Sequence, residues 1–188
     1  MKALVKEVHA DGSLTVVLGK YDKNNPQKYD LTSLEKVLQS PEVQNRLQRG
    51  GILGEFGSPR LDHIPSTTGR VYRAMEIREY KAAVIVTSIR VHRRRRGIFK
   101  RSLDIIGTIR PAGPLAGELT EALQKEDSGL RFGMRALVKE SPKTFWHGQT
   151  RQVTNIICWD VISDRDAMCP PAPTTTLLER LKKRFLSK

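Results

Sequence analysis

Alternating and β-branched hydrophobic positions dominate the chain and predict several strands. Residues 2–10 and 14–20 form two such runs, and the Asp-Gly pair between them is a strong signal for a β-hairpin. The run KAAVIVTSIRVH predicts a long strand, RRRRGIFKRS a charged turn, and LDIIGTIRP the next strand. Alternation at Tyr72, Ala74 and Glu76 predicts a further strand, and LRFGMRALVKE and TRQVTNIICWDVI predict two more.

Helical spacing of hydrophobic residues occurs in fewer places. The segment LTSLEKVLQ has this spacing, and Thr32 or Ser33 is its expected N-cap. Pro41 is expected to begin a second short helix that Ser40 caps, and Gly50-Gly51 should end the helical region.

A third helix is predicted from about Leu115 to Lys125. Strands therefore outnumber helices, which indicates an α+β fold: a mostly antiparallel sheet or small barrel with two or three flanking helices. We divide the chain into an N-terminal hairpin and loop (1–30), a core domain (31–165), and a Pro-rich linker with a basic amphipathic helix (166–188).

Composition limits the classes of partner and site. The 188 residues suffice for one buried core, and 33 Lys and Arg against 20 Asp and Glu give a net charge of +13, which favours acidic partners. Two cysteines are too few for a disulfide framework or zinc site, and we expect Cys158 to be a buried thiol. No metal or cofactor is expected. The sequence also lacks a signal peptide or long apolar segment, so we expect a soluble protein.

The stretch GGILGEFGSPR, residues 50–60, is the most motif-like part of the chain. Gly54, Gly57 and Pro59 suit a tight turn in which one residue has a positive φ. Glu55 is expected to brace this turn or to pair with a nearby arginine.

Four segments carry a resemblance to a known family. In order along residues 33–165 they are NRLQRGGILGEFGSP, GTIRPAGPLAGELTEAL, LRFGMRALV and IICWDVI. Together they resemble the prohead maturation proteases of tailed bacteriophages, which are serine proteases related in fold to herpesvirus assemblins. The resemblance implies a protease-like fold.

The residues at the family's catalytic positions do not suit catalysis. The family has a histidine immediately before the proline, where this chain has Ser58, and paired serines before an arginine, where it has Gly133 and Met134 ahead of Arg135. A serine protease needs a hydroxyl nucleophile and a general base within hydrogen-bond reach. The resemblance therefore implies a degenerate protease.

A relocated pair of catalytic residues is the alternative. His63 follows Ser58 by five residues, and Ser128 precedes Met134 by six. Six residues of a strand span about 20 Å, so such a site would need rearranged loops.

Two basic features are candidates for binding surfaces. The terminal segment TTTLLERLKKRFLSK predicts an amphipathic helix that docks on its own domain or on a neighbouring subunit, with membrane-surface binding and disorder as alternatives. Arginine forks bind carboxylate or phosphate, so a charged hairpin tip would suit an acidic protein or packaged DNA. The apolar face of the helix comprises Leu177, Leu178, Leu181 and Phe185, and the hairpin carries Arg90, Arg93, Arg94, Arg95, Arg96, Lys100 and Arg101.

The resemblance without its catalytic residues, together with these two candidate binding surfaces, implies a non-enzymatic structural protein of a tailed-phage particle, assembled in the host cytoplasm and present in several copies. It would be capsid-associated or part of the head–tail junction, and would bind head or connector proteins. One alternative is an active maturation protease with displaced catalytic residues. The other is a DNA-binding module that contacts only the phosphate backbone, because the chain has no helix-turn-helix signature and only 6% aromatic residues for base stacking.

Overall fold

The computed structural model describes residues 5–22, 28–96, 100–125, 129–141 and 150–163. Within these ranges the chain forms seven strands and four helices, together with a short 3₁₀ turn at Glu79–Lys81. The strands are β1 (Val5–Val8), β2 (Leu14–Asp22), β3 (Ile52–Glu55), β4 (Ala82–Arg96), β5 (Lys100–Pro111), β6 (Arg131–Glu140) and β7 (Arg151–Ile162). The helices are α1 (Leu31–Leu38), α2 (Pro41–Gln48), α3 (Thr67–Met75) and α4 (Ala116–Gln124).

The strands form two antiparallel sheets. One has five strands in the order β1-β2-β5-β4-β3, and the other consists of β6 and β7. A parallel bridge between Phe56 and Val161 connects the end of β3 to β7. The predicted α+β fold with a mostly antiparallel sheet is confirmed, but the sheet does not close into a barrel and the described ranges contain four helices instead of two or three.

The N-terminal hairpin is confirmed. Gly12 has a φ of +79°, and the backbone N–H of Ser13 donates to the Asp11 carboxylate at 3.0 Å, so Asp and Gly form the turn as expected. Strand β2 then pairs with β5 from Leu14 to Asp22. The hairpin therefore belongs to the five-stranded sheet.

Helix α1 is capped by a residue other than the two predicted. The Asp30 carboxylate accepts hydrogen bonds from the backbone N–H groups of Thr32 (3.4 Å) and Ser33 (2.9 Å), and the helix begins at Leu31. A carboxylate placed before the helix reaches two of its free N–H groups, so Thr32 and Ser33 lie inside the first turn.

Helix α2 follows the prediction, because Ser40 caps it and Pro41 occupies its first position. Gly50 and Gly51, with φ values of +132° and +96°, follow its end and lead into β3.

The strand predicted at Tyr72, Ala74 and Glu76 is wrong, because residues 67–75 form α3. Ser66 caps this helix, Val71 and Ala74 face the core at a helical spacing of three residues, and Tyr72 is 72% exposed. The apparent alternation arises because two exposed positions flank a buried one.

Strands β4 and β5 form the predicted long hairpin, with Val84 opposite Pro111 and Arg96 opposite Lys100. One hydrophobic cluster joins both sheets with α1, α2 and α4, and the fully buried Trp159 of β7 is part of it. No helix within the described ranges is long and apolar enough to span a membrane.

Candidate functional site

Strand β3 lies unusually close to β7. A Cβ atom on Gly54 would overlap the backbone carbonyl of Trp159 and would also crowd Val84. Neither strand can retreat without breaking its pairing, so glycine is required here by proximity of the two backbones and not by a positive φ. Gly54 therefore lies within β3 and not in the predicted turn, and the backbone contact with β7 is the reason for a glycine here.

The turn after β3 is held by hydrogen bonds to neighbouring strands. The Phe56 N–H donates to the carbonyl of Lys81 at 2.8 Å, and the Gly57 N–H donates to that of Val161 at 2.7 Å. Gly57 has a φ of +82°, so it is the residue with the predicted positive φ. Ser58 and Pro59 follow Gly57, and both are half-buried.

Strand β6 holds the positions that the resemblance assigns to the nucleophile. Gly133 lies opposite Asp160 and Met134 opposite Trp159 on β7. A Cβ atom on Gly133 would overlap the side chain of Ile162, which therefore fills the space beside this glycine. Neither Gly133 nor Met134 carries a hydroxyl group.

Two carboxylates and two guanidinium groups form a buried charge cluster: Glu55, Arg73, Arg135 and Asp160, with exposed fractions of 0, 6, 4 and 2%. Arg73 contacts Glu55 through two N–O pairs at 2.6 and 3.1 Å. Arg135 contacts Asp160 through two pairs at 2.7 and 2.9 Å, and its Nη2 lies 3.5 Å from Glu55 Oε2. Arg135 thus links the two carboxylates, and the cluster has no net formal charge.

Backbone groups complete the cluster. Asp160 Oδ1 accepts the backbone N–H of Glu55 at 3.0 Å, and Glu55 Oε1 accepts that of Arg78 at 2.7 Å. Both arginines donate to the carbonyl of Glu76, Arg73 at 3.0 Å and Arg135 at 2.7 Å. The cluster therefore connects β3, β6 and β7 to the C-terminal end of α3.

The two carboxylates have pKa values shifted in opposite directions. Burial alone would raise the pKa of Glu55, but hydrogen bonds from Arg73 and the Arg78 N–H, with the charge of Arg135, bring it below its ordinary value of 4.5. Burial raises the pKa of Asp160 above its ordinary 3.8, and the charge and hydrogen bonds of Arg135 offset only part of that rise. Burial also raises the pKa of the Cys158 thiol well above 9.0, so this thiol is neutral.

The described histidines are not part of the buried charge cluster. His9 bonds to Thr15 in the N-terminal hairpin at 2.8 Å, His92 is exposed on β4, and His63 is exposed beside Asp62 at 3.5 Å. Ser128, the alternative nucleophile, lies outside the described residues, so its pairing with His63 stays a hypothesis. Within the described ranges, no group of His, Cys, Asp or Glu side chains could hold a metal ion.

The arginine-rich hairpin is partly engaged within the fold. Arg93 pairs with Glu35 of α1 at 2.6 Å, and Arg94 pairs with the buried Asp104 at 2.8 Å. Arg90 is exposed and makes no ion pair with a described residue.

Several predicted site residues lie wholly or partly outside the described structure. The backbones of Arg95, Arg96, Lys100 and Arg101 belong to the hairpin, but their side chains are outside the description. The predicted docking helix also lies outside the described residues, with Leu177, Leu178, Leu181 and Phe185. Its role stays a prediction, whereas the buried free thiol of Cys158 is confirmed.

Sequence reasoning missed the cluster as a unit. It expected Glu55 to brace its turn or pair with an arginine, which is confirmed, but it assigned no role to Arg73 or Arg135. A usable signal was present, because Arg135 and Asp160 are charged residues inside hydrophobic runs of β6 and β7. Arg73 gave no such signal while α3 was interpreted as a strand.

Comparison with known proteins identifies a family for this chain. The model of the Peptidase S80 family matches residues 1–183, nearly the whole chain. No curated protein and no solved structure matches. The family match supports the predicted relation to phage prohead proteases, and its extent is decisive: the chain belongs to the Peptidase S80 family.

Proposed function

We propose that this chain is a non-enzymatic structural protein of a tailed-phage particle that uses a prohead-protease-like fold to bind other head proteins. One observation carries the proposal. The segment that the resemblance assigns to the nucleophile runs through Gly133 and Met134, and the Ile162 side chain occupies the space beside Gly133. Nothing at these two positions can attack a peptide carbonyl.

The base position supports the same conclusion. Ser58 stands directly before Pro59, and a serine hydroxyl does not accept a proton near neutral pH as an imidazole does. The nearby carboxylates of Glu55 and Asp160 are held by arginines and backbone N–H groups. These bonds suit a group that fixes the arrangement of strands better than one that transfers protons.

The sequence offers two candidate binding surfaces for partners. The exposed part of the β4–β5 hairpin is basic, and the predicted terminal helix has an apolar face. A capsid-associated or head–tail junction component would use such surfaces to hold its neighbours.

The first test is chemical. Purified full-length chain would be incubated with a fluorophosphonate, which labels activated serines, and then analysed by intact mass. We expect neither labelling nor self-cleavage, and the same result for the variants His63→Ala and Ser128→Ala. An active member of the family serves as the positive control. Labelling or self-cleavage that is lost in either variant would instead support the displaced catalytic pair.

A further inference from the structure

Strand β4 has one backbone edge that pairs with no described strand over much of its length. Strand β5 pairs with β4 from Val84 to Arg96, but on the other side β3 pairs only from Ala82 to Val86. Strand β3 begins at Ile52, so it provides no partner for β4 beyond Val86, and Gly51, whose φ is +96°, joins β3 to α2. Residues 87–94 therefore offer an edge about 27 Å long.

Side chains along this edge alternate between two faces. Ile89 and Val91 pack against the hydrophobic core, whereas Arg90, His92 and Arg94 are exposed on the opposite face. Residues two apart in a strand are separated by about 6.7 Å, so Arg90 and Arg94 lie about 13 Å apart on one line. An extended peptide has the same rise per residue, so its side chains two and four residues apart match positions 90, 92 and 94.

The hairpin already binds carboxylates within the chain. Arg93 holds Glu35 at 2.6 Å and Arg94 holds Asp104 at 2.8 Å, while Arg90 makes no ion pair with a described residue. Among the hairpin arginines whose side chains the structure describes, Arg90 is thus the one that remains for an external carboxylate.

Charge also determines which strands can pair here. A second copy of β4 placed edge to edge would bring arginines close to arginines, and like charges across a strand pair are destabilising. An acidic strand would instead place carboxylates opposite these arginines, and opposite charges across a strand pair are stabilising. The edge is therefore protected against self-association but suited to an acidic partner.

We propose that residues 87–94 of β4 bind an extended acidic segment of another protein as an added strand. Backbone hydrogen bonds would hold the segment to β4. Carboxylates at alternate positions of the segment would lie on the exposed face of β4, where one of them would pair with Arg90. An acidic extended segment gives the chemistry of the partner in the proposed function. Only the identification of that partner as a head protein rests on the proposed function. DNA binding would use the charges but not the open edge.

The test uses the full-length chain and a short synthetic peptide in which Glu alternates with Thr. Its control is the same peptide with every backbone nitrogen methylated, which keeps the carboxylates but removes the hydrogen-bond donors. We expect the methylated peptide to bind at least about tenfold more weakly in fluorescence anisotropy. The unmodified peptide should also slow amide hydrogen exchange within residues 87–94.

Two matched variants test the role of Arg90. Arg90→Glu should weaken peptide binding at least about tenfold, whereas Arg110→Glu, the same change at an exposed position near the other end of the sheet, should change it by less than about twofold. Circular dichroism would confirm that both variants fold.

Three results would overturn the proposal: no peptide binding, equal binding of the methylated peptide, or equal weakening by both variants. Binding of a short DNA duplex without peptide binding would identify a nucleic-acid surface instead. None of these results depends on catalysis, so a failure here leaves the fluorophosphonate result, and with it the proposed function, unaffected.

Discussion

Arg135 of β6 and Asp160 of β7 form a two-point ion pair in the interior, with N–O distances of 2.7 and 2.9 Å. Gly133 and Met134 immediately precede this arginine, so the pair lies beside the positions that the family resemblance assigns to the nucleophile. The ion pair holds β6, β7 and β3 together, while Gly133 and Met134 beside it carry no reactive group.

Replacing Arg135 should strongly destabilise the fold. Arg135→Ala leaves Asp160 buried without its main partner, and breaking a buried ion pair in this way costs about 3–5 kcal/mol. Urea unfolding would measure the loss. Arg131→Ala, at an exposed arginine of the same strand, is the control and should change the free energy of unfolding by less than about 0.5 kcal/mol. Similar losses in both variants would show that the pair is not important for stability.

Glu55 should contribute to acid sensitivity. Its folded pKa is below its ordinary value of 4.5, so ionised Glu55 stabilises the fold above that pH, and the stabilisation is lost as pH falls through the folded value. Asp160 contributes a pH dependence of stability with the opposite sign, because its raised pKa means that the folded state binds a proton more readily than the unfolded state.

The variant Glu55→Gln isolates the first contribution. At neutral pH its free energy of unfolding should be lower than that of the wild type, and below about pH 5 it should depend less on pH. Urea unfolding at a series of pH values measures both effects. Parallel curves for the two proteins would contradict the assigned direction of the shift.

Gly54 should tolerate no side chain. Gly54→Ala would place a methyl group against the backbone of β7, which cannot move aside as a flexible side chain could, and we expect a loss of about 3 kcal/mol or more. Gly117→Ala is the matched control: this glycine lies in α4 with open space around its Cβ position, so the change should stabilise the fold by about 0.5–1 kcal/mol. Equal changes in the free energy of unfolding for the two variants would contradict the close approach of β3 to β7.

Gly133 and Ile162 should be energetically coupled. Gly133→Ser introduces a Cβ that overlaps the end of the Ile162 side chain, and because that end can rotate aside we expect a cost at the low end of the overpacking range, about 1 kcal/mol. Trimming the neighbour in the double variant Gly133→Ser, Ile162→Ala should recover part of that loss. A double-mutant cycle by urea unfolding measures the coupling, expected at about 0.5 kcal/mol or more. Strict additivity would show that Ile162 does not fill this space.

The hairpins, the turn after β3 and α2 were predictable because local chemistry determines them. Asp-Gly, Ser-Pro and a Gly with positive φ each act within a few residues. The ion pairs were not predictable in this way, since Glu55 and Arg73 are 18 residues apart and Arg135 and Asp160 are 25 apart. The wrong prediction of a strand at residues 72–76 also prevented a prediction for Arg73. A strand and a helix direct the side chain of this residue to different sides of the element.

Purified mature particles of the phage that encodes this chain provide the most direct test of a structural role. Quantitative mass spectrometry of the particles, with the major head protein as the internal standard, would measure both the mass and the copy number of the chain. We predict the full-length chain, at a copy number that stays constant between preparations. Absence from mature particles, or presence only as self-cleaved fragments, would contradict a structural role and support a maturation protease.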